Sequence, residues 1–241
     1  MTQVLSIEAV SVCHWRGQRP LPALRDVSMT INRGELAGLH AKAGGGKTTL
    51  LEVAGGLLCP DAGRVTVAGV ELSTLSARDL RTHVARHVGF ATRQGPDIAG
   101  LPMVAWLEMA VMSRIGRAGA RRRAREVLDR VGAGGTFDQP WSSLSNREQI
   151  LASIARAVVT GPQLLLVDEH AAGLDLFETM EVLGLLRSLA TTAGTAVLVT
   201  ASELLDLQGV DSIWMLKDGY LTEPDRTSAP VIRFPDRASQ A

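Results

Sequence analysis

Three consecutive glycines, then a lysine and two threonines, sit between an apolar run and a leucine-spaced segment. The stretch is Ala41-Lys42-Ala43-Gly44-Gly45-Gly46-Lys47-Thr48-Thr49, with ELAGLH (35–40) before it and TTLLEVAGGLL overlapping its end. No other feature narrows the fold as much. Glycines admit left-handed turns and close backbone approach to a ligand. A strand entering such a loop and a helix leaving it aim the helix's unpaired N–H groups at one point. Gly46, Lys47 and Thr48 match the end of the phosphate-loop pattern G-x-x-x-x-G-K-[ST], but Ala41 stands where its first glycine belongs. If that position needs a positive φ, alanine is strained there. On the phosphate reading, residues 41–49 cradle a nucleotide's phosphates, Lys47 reaches the β- and γ-phosphates and the Thr48 hydroxyl ligates Mg²⁺. The plainer reading is a flexible turn with an incidental lysine, and the flanking strand and helix count against it. Lysine is rare elsewhere: besides Lys47 there are only Lys42 and Lys217.

The surrounding pattern alternates strands with helices. Residues 4–12 and 22–31 read as strands with GQRP between them, and RVTVAG is a further strand. The stretch 95–157 has helical periodicity in MVAWLEMAVMSR, ARRRAREVLDRV and the residues after Ser145, and reads as a helical subdomain. GPQLLLVDE, LFETMEVLGLLRSLA, TAVLVT and DSIWMLKDGYLT then read as strand, helix, strand and hairpin. This implies an α/β fold with a mostly parallel sheet, one domain over 1–222 and a loosely ordered tail over 223–241.

Composition removes several classes. Of 241 residues, 46% are hydrophobic and 21% charged, which is globular, and the formal net charge of zero argues against a nucleic-acid binder. Arg121-Arg122-Arg123-Ala124-Arg125 is locally basic. Its two readings are an anionic-partner patch and a solvated helix face, the second favoured by the neutral whole. Cys13 and Cys59 have no metal-ligand spacing and read as free thiols. The N-terminus has no signal-peptide pattern, and no apolar run reaches the ~18 residues of a membrane helix. Any service to a membrane is therefore expected from its cytosolic face, through a partner.

LLLVDE places Asp168 and Glu169 at a strand end, the ligand-binding edge of parallel sheets. Behind a phosphate loop, Asp168 is the candidate metal carboxylate and Glu169 the candidate general base for an attacking water. Between the two lie Leu144-Ser145-Asn146-Arg147-Glu148-Gln149 and Ile154-Ala155-Arg156-Ala157-Val158, and Gly173-Leu174-Asp175 follows. This order, from about Leu5 to Thr222, resembles the nucleotide-binding domain of ATP-binding cassette (ABC) proteins. They carry a P-loop, an LSGGQ-like signature, a Walker B Asp-Glu and a D-loop. The LSxxEQ form looks most like the lipoprotein-release and macrolide-export cassettes.

The resemblance implies a P-loop NTPase fold of the ABC ATPase type, with an N-terminal antiparallel sub-sheet. It implies two cassettes sandwiching two Mg-ATP head to tail, ATP hydrolysis, and a separate transmembrane permease subunit. It places Ser145 against the partner cassette's γ-phosphate, and adenine on an aromatic ring near the first strand's end. His14 falls there by spacing, with Trp15 beside it, though a packing or surface role suits Trp15 equally. The sequence also departs from the pattern. Asn146 and Arg147 replace the signature glycines, Arg147 pointing either to phosphate or to solvent. Arg93 takes the Q-loop glutamine's place with Gln94 one later, and Ala201-Ser202 stands where the switch histidine should be. His170 is the nearest imidazole in sequence, with a solvated or capping role favoured over that of stand-in. The parts that hold nucleotide are kept and those that time hydrolysis are eroded. The alternative function is thus a non-hydrolysing cassette, the regulatory half of a heterodimer.

Overall fold

The computed structural model describes residues 2–17, 19–92, 94–96 and 98–225. Two sheets organise them. Strands β1 (Gln3–Arg16), β2 (Arg19–Asn32), β4 (Ala62–Val67) and β5 (Val70–Glu71) form an antiparallel sheet in the order β2-β1-β4-β5. Strands β3 (Leu36–His40), β6 (Val88–Ala91), β7 (Leu164–Val167), β8 (Ala196–Ala201), β9 (Ser212–Lys217) and β10 (Tyr220–Asp225) form the second, ordered β10-β9-β3-β8-β7-β6. It is parallel except for β10, which returns beside β9 as a hairpin. That hairpin strand runs through Asp225, three residues into the stretch expected to be a loose tail. The remaining tail, 226–241, lies outside the described residues.

Both faces of the sheet are covered at its centre, so β3, β7 and β8 are buried along their length rather than on alternate residues. Alternate side chains enter different cores. Leu165 and Val167 of β7 with Val197, Val199 and Ala201 of β8 face helices α3 (Met103–Arg130), α4 (Asn146–Val158) and α5 (Leu176–Ala193). Leu164, Leu166, Ala196 and Leu198 instead face helix α1 (Lys47–Ala54) and the antiparallel sheet. Helix α1 buries Leu50, Leu51, Val53 and Ala54 there, each large side chain contributing about 1.5–3 kcal/mol. Helix α2 (Ala77–His87), capped by Ser76, lies outside with no buried residue.

The segment read as two helices is that: two helices, together labelled α3, meet across a kink at Gly116, where φ is 70° and ψ 169°. Its basic run is engaged with the chain itself. Arg121 lies 3.5 Å from Glu108, Arg125 sits 4.3 Å over the Phe137 ring, and Arg123 donates to the Val159 carbonyl at 3.2 Å. Cys13 and Cys59 are free thiols.

Candidate functional site

Strand order makes the site. Strand β8 lies between β3 and β7, pairing His40 with Ala201 and Val167 with Val199. Their carboxyl ends therefore open side by side onto one edge, where ligands bind in parallel α/β sheets. Each strand delivers a different loop: Ala41–Gly46 from β3, Asp168-Glu169 from β7 and Ser202 from β8.

The glycine loop is shaped as its sequence demands. Gly44 and Gly46 have φ of 74° and 97°. A Cβ on Gly46 would sit 2.8 Å from the Ala23 carbonyl oxygen, and one on Gly45 only 2.9 Å from that of Lys42. Ala41 is buried and is not among the positive-φ residues, so the alanine carries none of the strain its place in the pattern raised. Lys42 and Gly45 close the turn with a 2.9 Å backbone bond, and Ala43 is exposed between them and Gly44. Helix α1 then starts with no side chain capping its N-terminus. Its first N–H groups and positive dipole end are free for an anion.

Lys47 is buried at this helix start. Its ammonium donates to the Ala41 carbonyl at 2.8 Å, to the Lys42 carbonyl at 3.4 Å and to Ser202 Oγ at 2.9 Å, and lies 3.6 Å from Glu169 Oε1. Thr48 Oγ1 donates to Asp168 Oδ2 at 3.1 Å. Thr200 Oγ1 donates to Asp168 Oδ1 at 2.8 Å and accepts the Glu169 N–H at 2.9 Å. Ser202 Oγ lies 3.4 Å from Glu169 Oε1. The site is thus a ring running Thr48, Asp168, Thr200, Glu169, Ser202 and Lys47. Glu169 holds a left-handed φ of 49°, a strained conformation of the kind found at ligand sites.

The donor set fits Mg²⁺ with nucleotide. Among the described residues no cluster of three His, Cys, Asp or Glu offers an all-protein metal cage. A hydroxyl beside one carboxylate, Thr48 and Asp168, is the partial oxygen set that suits an ion keeping waters and phosphate oxygens as its other ligands. His14 Nε2 lies 3.0 Å from Thr49 Oγ1, placing the imidazole over the start of α1, while Trp15 is 68% exposed. Either ring is open to a stacked base.

Several sequence expectations need correction. His170 is neither solvated nor a cap. It is 1% exposed and lies between the Thr200 carbonyl, 3.2 Å from Nδ1, and the Asp206 carbonyl, 3.0 Å from Nε2. Burial holds its pKa below the ordinary histidine value, with the two carbonyls opposing. Ala201, aligned with the switch histidine, is buried on the face away from α1. Ser202, one residue on, is the group that reaches Lys47 and Glu169. Arg93 lies outside the described residues. Gly95 packs on the Trp141 ring, where a Cβ would come within 2.5 Å.

The signature segment lies apart from the ring and is self-engaged. Ser145 caps α4 in a reciprocal box. Its Oγ accepts the Glu148 N–H at 3.3 Å and donates to Glu148 Oε2 at 2.8 Å, while its own N–H donates to Oε2 at 2.9 Å. The bonds from the Ser145 backbone and hydroxyl hold the Glu148 pKa below the usual carboxylate value. Asn146 Nδ2 donates to the Gly173 carbonyl at 3.4 Å. Arg147 pairs with Glu181 of α5 at 3.0 Å and stays partly open to solvent. Sequence reasoning missed Thr200, Ser202 and these stitches. Only the S-x-x-E spacing of the capping box was visible in the chain.

Known proteins resemble this chain in sequence and fold. A family model for the ABC transporter matches residues 24–172, more than half of the chain. The macrolide export ATP-binding/permease protein MacB of Salmonella choleraesuis (strain SC-B67) is 34% identical over 222 residues, covering 92% of this chain and 34% of that protein. MacB of Rhodopirellula baltica is 31% identical, covering 90% and 32%. The chain spans roughly a third of the length of these curated relatives. The dimeric bacterial ABC transporter cassette MJ0796 superposes with a TM-score of 0.85 at 24% identity, covering 92% of this chain and 98% of that one, a likeness of fold. The same cassette is known in a post-hydrolysis state bound to ADP and Pi. Motif order, curated relatives and fold agree, and the chain belongs to the ABC transporter family as an ATP-binding cassette.

Proposed function

We propose that this chain is the ATP-binding subunit of a transporter of the macrolide-export type, pairing with a second cassette and driving a separate transmembrane permease from its cytosolic face. The observation that carries the reading is the uncapped start of α1, with Lys47 buried beside it and the Thr48–Asp168 pair adjacent. The glycine loop and α1 bind the phosphates through backbone N–H groups, and Lys47 neutralises their charge. Thr48 and Asp168 would hold Mg²⁺, which would supply charge neutralisation to the phosphates. Glu169 orients the attacking water and accepts its proton, and His14 or Trp15 stacks on adenine. Ser145 of one cassette faces the other's γ-phosphate. A permease partner is supported by relatives in which an ATP-binding part and a permease form one protein, of which this chain spans about a third. The groove of about 610 Å³ between α2 and α3, lined by Arg78, Arg81, Arg86 and Arg114, is a surface such a partner can use.

A second reading is favoured by one specific observation. Ser145 already donates its hydroxyl within its own chain, and Asn146 and Arg147 are tied to the D-loop and α5. A cassette so disposed binds nucleotide but completes its partner's site poorly, as the non-hydrolysing half of a heterodimer would. Nucleotide titration and steady-state ATPase assays on the purified chain, beside Glu169→Gln, separate the two. Turnover lost in Glu169→Gln supports the hydrolase. Tight binding without turnover supports the regulatory half, and absence of binding refutes both.

A further inference from the structure

Ser202 stands where nothing in the motif pattern predicts a polar contact. Its place follows from the strand that carries it. Along β8, Ala196 and Leu198 face α1, whereas Val197, Val199 and Ala201 face the helical side. Period two therefore turns Thr200 and the residue after the strand, Ser202, toward α1 and its lysine. Strand β8 lies between the strands that carry the glycine loop and Asp168-Glu169. A side chain there has Lys47 on one hand and Glu169 on the other.

An ammonium has three donors and no acceptor. The chain itself already uses those donors. The Ala41 carbonyl takes one at 2.8 Å, Ser202 Oγ takes another at 2.9 Å, and the Lys42 carbonyl at 3.4 Å and Glu169 Oε1 at 3.6 Å share the remaining direction. Lys47 is only 5% exposed, so water does not supply its partners. Ser202 in turn has one proton to give, and Glu169 Oε1 is its acceptor at 3.4 Å. One hydroxyl therefore satisfies the lysine and turns the carboxylate toward it.

We propose that Ser202 is a positioning residue that latches Lys47 to Glu169, and that nucleotide binds by displacing Lys47 from this latch onto phosphate. The proposal rests on the nucleotide-binding reading above and adds to it a residue that sets affinity without touching nucleotide. For Lys47 to reach phosphate, the bond to Ser202 is exchanged for one to a phosphate oxygen. Removing an acceptor that only the empty state uses strengthens binding, because the empty state loses a charge-assisted hydrogen bond and the bound state does not. Replacing it with a carboxylate does the reverse. General damage to the site weakens binding whichever residue is introduced, so the sign of the change separates a latch from a structural prop.

The test is calorimetric titration of the full chain with a non-hydrolysable ATP analogue and Mg²⁺, for wild type, Ser202→Ala, Ser202→Thr and Ser202→Asp, with thermal unfolding of each to verify folding. Ser202→Ala is expected to bind about 3- to 10-fold tighter than wild type. Ser202→Thr, which keeps the hydroxyl, is expected to bind like wild type, and Ser202→Asp at least about 10-fold more weakly. Folded Ser202→Ala that binds as wild type does, or more weakly, overturns the latch while leaving the nucleotide reading intact. Wild type that binds no analogue overturns the nucleotide reading, and the latch falls with it.

Discussion

Two helix N-termini in this molecule are built for opposite situations. Helix α1 begins at Gly46 in a left-handed conformation with no side chain on its free N–H groups. Helix α4 begins at Ser145 with a complete capping box, a hydroxyl and a carboxylate both spent on its first turn. An open N-terminus is an anion site in waiting, and a capped one has its anion built in. The family's geometry asks both to meet phosphate. In this chain only α1 is free to do so at once, whereas α4 must first give up Glu148. On the proposed function, binding and pairing are therefore separable steps, each with its own cost.

That contrast can be broken from the α1 side with the largest effects. Lys47→Ala should weaken nucleotide binding about 100-fold or more, since no other buried cation lies in the ring. Equilibrium dialysis with labelled ATP would expose an unchanged affinity and end the comparison. Gly46→Ala places a methyl 2.8 Å from the Ala23 carbonyl at a φ of 97°. It should cost about 2–3 kcal/mol of stability, read from urea unfolding midpoints.

On the α4 side the effects are smaller. Glu148→Ala removes half of the capping box and should cost about 1 kcal/mol, while raising the dimer fraction seen by light scattering with ATP. A dimer fraction that does not rise means the built-in carboxylate is no obstacle to pairing. Arg147→Ala breaks a half-exposed ion pair with Glu181 and should change stability by less than about 1 kcal/mol.

Acid separates the two regions last and most gently. The pKa of His170, behind the α1 ring, is lowered by burial, so the folded state binds fewer protons there than the unfolded chain. Its contribution is whole above the ordinary value of 6.5 and is lost as pH falls below it. The Glu148 pKa is also lowered, by Ser145, so the capping box contributes fully above 4.5 and is lost as pH falls further. Melting curves should show His170→Gln flattening only the upper window and Glu148→Gln only the lower. A single shared window would contradict this assignment.

Much of the candidate site's geometry was legible because it is local. Gly44 to Thr48 carry their conformation and chemistry within a few residues, and Asp168-Glu169 ends a run too apolar to be anything but a buried strand. The Ser145–Glu148 box was equally readable from spacing. Other contacts were not, because they join residues far apart in the chain. His170 looked solvated because it follows Asp168 and Glu169, yet the Thr200 and Asp206 carbonyls enclose it. Arg147 had no visible partner until α5 brought Glu181 beside it.

The amino-acid order alone therefore specified an α/β cassette, its phosphate loop and its acidic strand end, since hydrophobic period and glycine placement act over one element at a time. Which loops meet at one edge was settled only by the tertiary structure. The insertion of β8 between β3 and β7 set Ser202 rather than Ala201 against Lys47. Pairing between distant strands, and the alternation of faces along them, depends on how the whole sheet is covered, and no local run of residues encodes that.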